Sequence, residues 1–193
     1  MIAENRTQLA TLLYRGREIA RRYLVTNGFD GALTMLGLMT GFYLGGATEV
    51  KVAINACLGA AIALFVSGFS SAYLSETAER KKELREMEQA LLIDLKESHY
   101  GKASRYLPLF IALVNGFSPL LLSLLILLPL FLTHHGISLP CSPFLVAIAV
   151  AFCCIFFLGV YLGKISRSFW LWSGLRAVLI AVSMMAIIML FDL

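Results

Sequence analysis

Between Arg105 and Lys164 the chain carries no Asp, Glu, Lys or Arg. A helix needs about 20 predominantly apolar residues to cross a bilayer, so this stretch alone accommodates two crossings. Across the 193 residues, hydrophobic side chains make up 59% and charged ones 15%, against about 45–50% and 25% in soluble domains. That balance excludes a soluble globular enzyme, a disordered chain and a secreted disulfide scaffold. The chain reads as an integral membrane protein. Its net charge of +4 does not require nucleic acid as a partner, because the cations sit between the apolar segments.

Five apolar segments are present, at about 29–47, 52–74, 107–132, 143–162 and 172–191. Helices are the only open-ended elements that satisfy their own backbone in lipid, so the expected architecture is all-α, with five transmembrane helices in one membrane domain over 1–193. Pro119 and Pro129 fall within the third segment and predict a kink there. Orientation follows from Lys and Arg counts in the connections. Five arginines precede the first segment and seven cations lie in 75–106; Lys164, Arg167 and Arg176 fall around the last connection, and only Lys51 lies on the other side. This fifteen-to-one split predicts a cytoplasmic N-terminus, an external C-terminus, and a second span that extends through 75–106 as a cytoplasmic acidic helix. In residues 1–25, Leu9, Leu12, Leu13, Ile19 and Tyr23 interleave with arginines. The pattern suits an amphipathic helix lying in the membrane interface or docked on the bundle. It lacks the uninterrupted apolar core of a cleavable signal peptide.

Motifs for covalent or cofactor chemistry are missing: no phosphate-binding loop, metalloprotease or nucleophile-elbow pattern, and no dinucleotide fingerprint. Cys57, Cys141, Cys153 and Cys154 have no Cys-x-x-Cys spacing and read as small buried hydrophobes. Asn5-Arg6-Thr7 matches a glycosylation sequon on the side expected to be cytoplasmic, where it has no use. His134 and His135 end the third segment, either as ligands for a departing metal or as an interfacial pair with no such role. Nothing in the sequence indicates an enzyme or a permanently bound cofactor.

Two polar features stand out. Asp30 is the lone carboxylate in the first apolar segment, and an ionised side chain in a bilayer costs at least about 2.5–3.5 kcal/mol. At 100° per residue Thr34, Gly37, Gly41 and Gly45 fall within about 60° of it. Small residues on one face let helices approach closely, so pairing of the first span with its own copy brings two Asp30 carboxylates to one central path. The alternative is that Asp30 caps a helix start, aided by Gly28 and Gly31. The second feature begins with Ser67, Ser71 and Ser75 at four-residue intervals and continues as Glu76, Glu79, Glu83 and Glu86. The carboxylates share one helical face, where like charges destabilise the helix unless cations neutralise them. Hard oxygen ligands suit manganese or ferrous iron, with calcium and magnesium also admissible. Alternatively Arg80, Lys81, Lys82 and Arg85 balance a solvated face. The serines lie between the acidic stripe and the lone aspartate, outlining a transport path through Asp30, Thr34, Ser67 and Ser71.

At these residues the chain resembles the vacuolar iron transporter family. Asn27-Gly28-Phe29-Asp30-Gly31-Ala32-Leu33-Thr34 looks like that family's small-Asp-Gly-Leu-Thr motif after an Arg-rich helix. The Ser75-Glu76 passage into a Glu/Arg/Lys helix, Asn115-Gly116-Phe117-Ser118-Pro119-Leu120-Leu121, and the stretch from Phe157-Leu158-Gly159 to Gly174-Leu175-Arg176 resemble later segments in the same order. The resemblance implies five spans, a homodimer with the ion path at its two-fold axis, and metal export from the cytosol coupled to proton entry. Two departures accompany it: Phe65 stands where the family has a second-span methionine, and the cytoplasmic metal-binding region is reduced. Met35 and Met39 turn away from Asp30, by about 140° and 180°.

Together these readings predict a proton-coupled transporter of ferrous iron or manganese. Glu76, Glu79, Glu83 and Glu86 collect metal for Asp30, and the partners are a second copy, the ions, protons and lipid. The membrane would be the cell membrane in a prokaryote and a vacuolar-type membrane in a eukaryote. A non-transporting assembly or sensor protein, whose acidic helix binds metal or a basic partner, is the alternative.

Overall fold

A computed structural model describes residues 2–137 and 140–191. These residues form five helices and no strand: α1 (Ile2–Leu44), α2 (Val50–Leu91), α3 (His99–His134), α4 (Pro143–Ile165) and α5 (Trp170–Phe191). α2, α3, α4 and α5 are long and apolar enough to cross a membrane. α1 falls short of that standard because Asn27, Asp30, Thr34, Thr40 and several glycines dilute its apolar half. The expected acidic extension of the second span is helical only as far as Leu91: residues 92–98 turn the chain, and 99–106 already belong to α3. α3 runs unbroken through Pro108, Pro119 and Pro129.

The connections are short because the helix ends fold back on themselves. After α1 and α3, Gly46 (φ 65°) and Gly136 (φ 85°) adopt the left-handed conformation. The next N–H then reaches five residues back: Ala47 N donates to Phe42 O at 3.0 Å, and Ile137 N to Leu132 O at 3.1 Å. Glycine makes this closure free of steric penalty. Leu92 and Arg167, both at φ 53°, do the same after α2 and α4, at roughly 1–2 kcal/mol each for a side chain in that region. Before α3, Ser98 Oγ accepts the Gly101 N–H at 3.0 Å, the capping arrangement that satisfies an otherwise orphaned helix donor.

Two compact units emerge. One comprises Met1–Leu24 with Phe65–Phe117, the other Val25–Leu64 with Ser118–Leu193. In the first, Leu12 and Ala20 pack with Tyr100, Leu107 and Ile111. Ile19 and Tyr23, partly buried, pack against the same cluster; the side chains of Leu9 and Leu13 lie outside the described residues. Gly16 makes this packing possible, since a Cβ there would lie 2.6 Å from a Leu107 methyl. In the second unit Met35, Leu36, Met39, Cys57, Leu127 and Ile155 form a core with little or no exposure. Small residues let α4 and α5 close on each other: a Cβ on Gly159 would stand 2.7 Å from Ala177 Cβ.

Many large apolar side chains point outward, including Leu121, Leu125 and Leu128 on α3 and Leu179, Ile180 and Leu190 on α5. In water such a surface would aggregate; around apolar helices of crossing length it is the surface a bilayer solvates.

Candidate functional site

Asp30 lies well inside α1, twenty-eight residues after its first and fourteen before its last. The helix-cap alternative is thereby removed, because the backbone N–H groups around Asp30 are already engaged within the helix. Gly28 and Gly31 serve packing instead. A Cβ on Gly31 would sit 2.7 Å from Pro119 Cα and 2.8 Å from Pro119 O, and one on Gly28 would sit 3.0 Å from a Leu122 methyl. These glycines press α1 against α3 and α4, which leaves Asp30 on the outer side of the helix. There it is exposed, and among the described residues no hydrogen bond or ion pair reaches it. Thr34, one turn on, is half-buried.

The glycine face divides. Gly41 is exposed, with nothing within 4 Å of an added Cβ. Gly45 is also exposed. Gly37, by contrast, meets Ile188 and Met184 of α5 at 3.7 and 3.8 Å. The part of the stripe open to another molecule is therefore Gly41 and Gly45. Met35 and Met39 are fully buried in the core and do not accompany Asp30.

In the first unit, Ser67 and Ser71 are exposed on α2, with Ser71 Oγ donating to Gly68 O at 3.2 Å. Phe65 packs edge-on to Phe117 (centroids 5.0 Å apart) and stacks with Phe69 at 6.1 Å. Gly116 allows this contact by seating against the Phe65 backbone oxygen. Asn115, 3% exposed, anchors it by donating Nδ2–H to Gly68 O at 2.6 Å. Phe65 is thus an aromatic wedge between α2 and α3.

The four glutamates are not equivalent. Glu76 is buried and Arg80 reaches it at 3.5 Å, while the same guanidinium meets Glu83 at 2.5 Å. Glu79 and Glu86 are exposed, with Lys82 4.0 Å from Glu86. Arg80 therefore neutralises two of the four carboxylates, and it does so from a buried position, not on a solvated face. Among the described residues no three His, Cys, Asp or Glu side chains gather as a metal would require. His134 and His135 stand ring to ring at 5.8 Å and are exposed. All four cysteines are free; Cys57 and Cys154 are buried as expected, whereas Cys153 faces outward and Cys141 is exposed. At the α2–α3 turn the Lys96 backbone N–H holds the Asp94 carboxyl below its ordinary range. Sequence reasoning missed the bridging role of Arg80, although its spacing from Glu76 and Glu83 is that of helical ion pairs.

The helices and their outward apolar faces define a multi-pass membrane protein with an unpaired carboxylate on one helix. The chain is 32% identical over 164 residues to Uncharacterized protein MJ0645 of Methanocaldococcus jannaschii, an alignment covering 83% of this chain and 82% of the relative. It belongs to the same family as that archaeal protein. No family model matches the chain, and no solved structure does.

Proposed function

We propose that the protein is a proton-coupled divalent metal transporter, carrying ferrous iron or manganese out of the cytosol as a homodimer. The observation that supports it most is Asp30: an exposed carboxylate without a partner, inside a helix that continues through an apolar bundle. An ionised group so placed is costly in lipid. A second Asp30 and a cation between the two relieve that cost. In this reading α1 is the fifth crossing, the exposed Gly41–Gly45 strip meets its copy, and protons arriving from outside displace the metal from the carboxylates. The resemblance to vacuolar iron transporters supports the same assignment. The test is uptake by purified protein in liposomes: manganese or ferrous iron should move when a pH gradient is imposed, and no movement of either ion would refute the proposal.

Topology is tested separately. The proposed five crossings and cytoplasmic N-terminus require a reporter fused after Leu193 to be active outside; activity confined to the cytoplasm would remove α1 as a crossing.

The glutamate helix acts as the collector. For it to bind metal, Arg80 must release Glu76 and Glu83, so affinity is modest and falls with pH as protons compete. Changing the exposed Glu79 and Glu86 to Gln, which leaves buried Arg80 its two partners, should lower uptake at low metal concentration and leave it nearly normal at saturation. Normal uptake at every concentration would leave the helix as a charge-balanced scaffold with no part in collecting metal.

A further inference from the structure

Beyond its apolar part α2 has two opposed faces. At 100° per residue Thr77, Lys81, Leu84 and Glu88 fall within about 60° of one another, flanked by Arg80 and Arg85, with the four glutamates on the other side. The first of these faces lines a cavity of about 550 Å³, closed opposite by Lys96, Gly101, Ser104 and Arg105. All of these residues belong to the first unit.

The lining is strongly basic. Arg80, Lys81, Arg85, Lys96 and Arg105 face a single carboxylate, Glu88, and that carboxylate accepts the Leu95 N–H at 3.0 Å. Lys96 pairs with Asp94, and Arg80 with Glu76 and Glu83. Lys81, Arg85 and Arg105 are exposed and have no ion pair among the described residues.

Hydrogen-bond accounting points the same way. Thr77 Oγ1, Arg80 Nε and Ser104 Oγ are buried without partners, and all three residues line this cavity. Ser104 stands beside the Tyr100 phenol but forms no hydrogen bond of normal geometry with it. Each of the three groups is a donor, and a buried donor lacking an acceptor is unfavourable. Cations at a mouth and unsatisfied donors on a wall are what a tetrahedral oxyanion requires. The cavity also sits where the helices leave the apolar zone, since the apolar segments of α2 and α3 end near Leu74 and begin near Leu107. That is the level of phospholipid headgroups, and basic pockets between helices there bind them.

We propose that this cavity binds a phosphate-bearing anion, with the headgroup of an anionic phospholipid as its occupant. A soluble phosphate compound would offer the same chemistry from the aqueous side. The proposal does not rest on metal transport, although Arg80 borders both this cavity and the glutamate cluster.

Arg80 is unsuitable for a test, because its loss strands buried Glu76. Arg85 and Arg105 are exposed and unpaired, so Arg85→Gln/Arg105→Gln should fold normally, as thermal unfolding in phosphatidylcholine alone will show. Full-length protein in phosphatidylcholine nanodiscs is titrated with phosphatidylglycerol and, separately, with inorganic phosphate, and bound lipid is counted by native mass spectrometry. The parent should retain phosphatidylglycerol, and the double variant should bind it about tenfold more weakly. Lys164→Gln/Arg167→Gln, in the other unit, should leave that affinity unchanged. Binding of inorganic phosphate without phosphatidylglycerol, lost in the same variant, would uphold the site and assign it to a soluble ligand. Equal weakening in both double variants would reduce the effect to diffuse attraction, and unchanged binding in Arg85→Gln/Arg105→Gln would overturn the proposal outright.

Discussion

Asp30→Asn is expected to reduce pH-driven metal uptake to the level of protein-free liposomes while leaving the fold intact. The substitution keeps the size and one carbonyl oxygen, and removes both the charge and the titratable proton. Both are needed if the group holds metal when ionised and releases it when protonated. The surroundings of Asp30 separate this outcome from simple damage. It makes no hydrogen bond or ion pair among the described residues and lies in mid-helix, so Asn strands no partner and removes no cap. Removing a charge from an apolar segment relieves about 2.5–3.5 kcal/mol on the insertion scale. The Asn variant should therefore be inactive yet at least as resistant to thermal unfolding, the opposite trend from a structural lesion and the usual trade-off at a functional group. Asp30→Glu should keep partial activity, since the charge survives and only the oxygen position changes. An Asn variant that transports like the parent would move the path away from this residue, towards Ser67 and Ser71.

The sequence exposed those features that depend on local pattern. Apolar runs placed α2, α3, α4 and α5 to within a few residues, apart from the early start of α3 at His99, where polar residues continue the helix outside the apolar run. The acidic helix was legible in part, because Glu, Lys and Arg favour helix over 75–91, but the turn at 92–98, inside the expected 75–106 helix, was not. What needed three dimensions was the role of small residues. Gly28 and Gly31 could equally have marked a helix start, and only the approach of Pro119 distinguishes packing from capping. The Gly37, Gly41 and Gly45 stripe was visible, yet the chain cannot announce that its own α5 covers Gly37 and leaves Gly41 open. Charge was counted by side of the membrane and not by face of the helix. For that reason Lys81, Arg85 and Arg105 register in the sequence as an orientation signal, and Lys81 and Arg85 also as a balance for the glutamates, but not as one lining.

That division among the glycines leads to a contrast of two substitutions on one helix. At Gly31 an added Cβ meets Pro119 Cα at 2.7 Å and Pro119 O at 2.8 Å. Both are backbone atoms, so no rotamer change relieves the clash and α1 and α3 must move apart. Even Gly31→Ala should cost about 1–3 kcal/mol, the range for overpacking a close contact, and Gly31→Leu should yield little folded protein. At Gly41 an added Cβ meets nothing within 4 Å, and replacing a helical glycine gains up to about 1 kcal/mol of helix propensity. Gly41→Leu should therefore leave thermal unfolding of the subunit unchanged or raised, while chemical crosslinking detects less dimer. The two readouts can fail independently. A Gly31→Ala protein as stable as the parent would mean that α1 and α3 do not make this contact. A dimer unaffected by Gly41→Leu would mean that the open glycine strip faces lipid, and Asp30 would then need some other route to a second carboxylate.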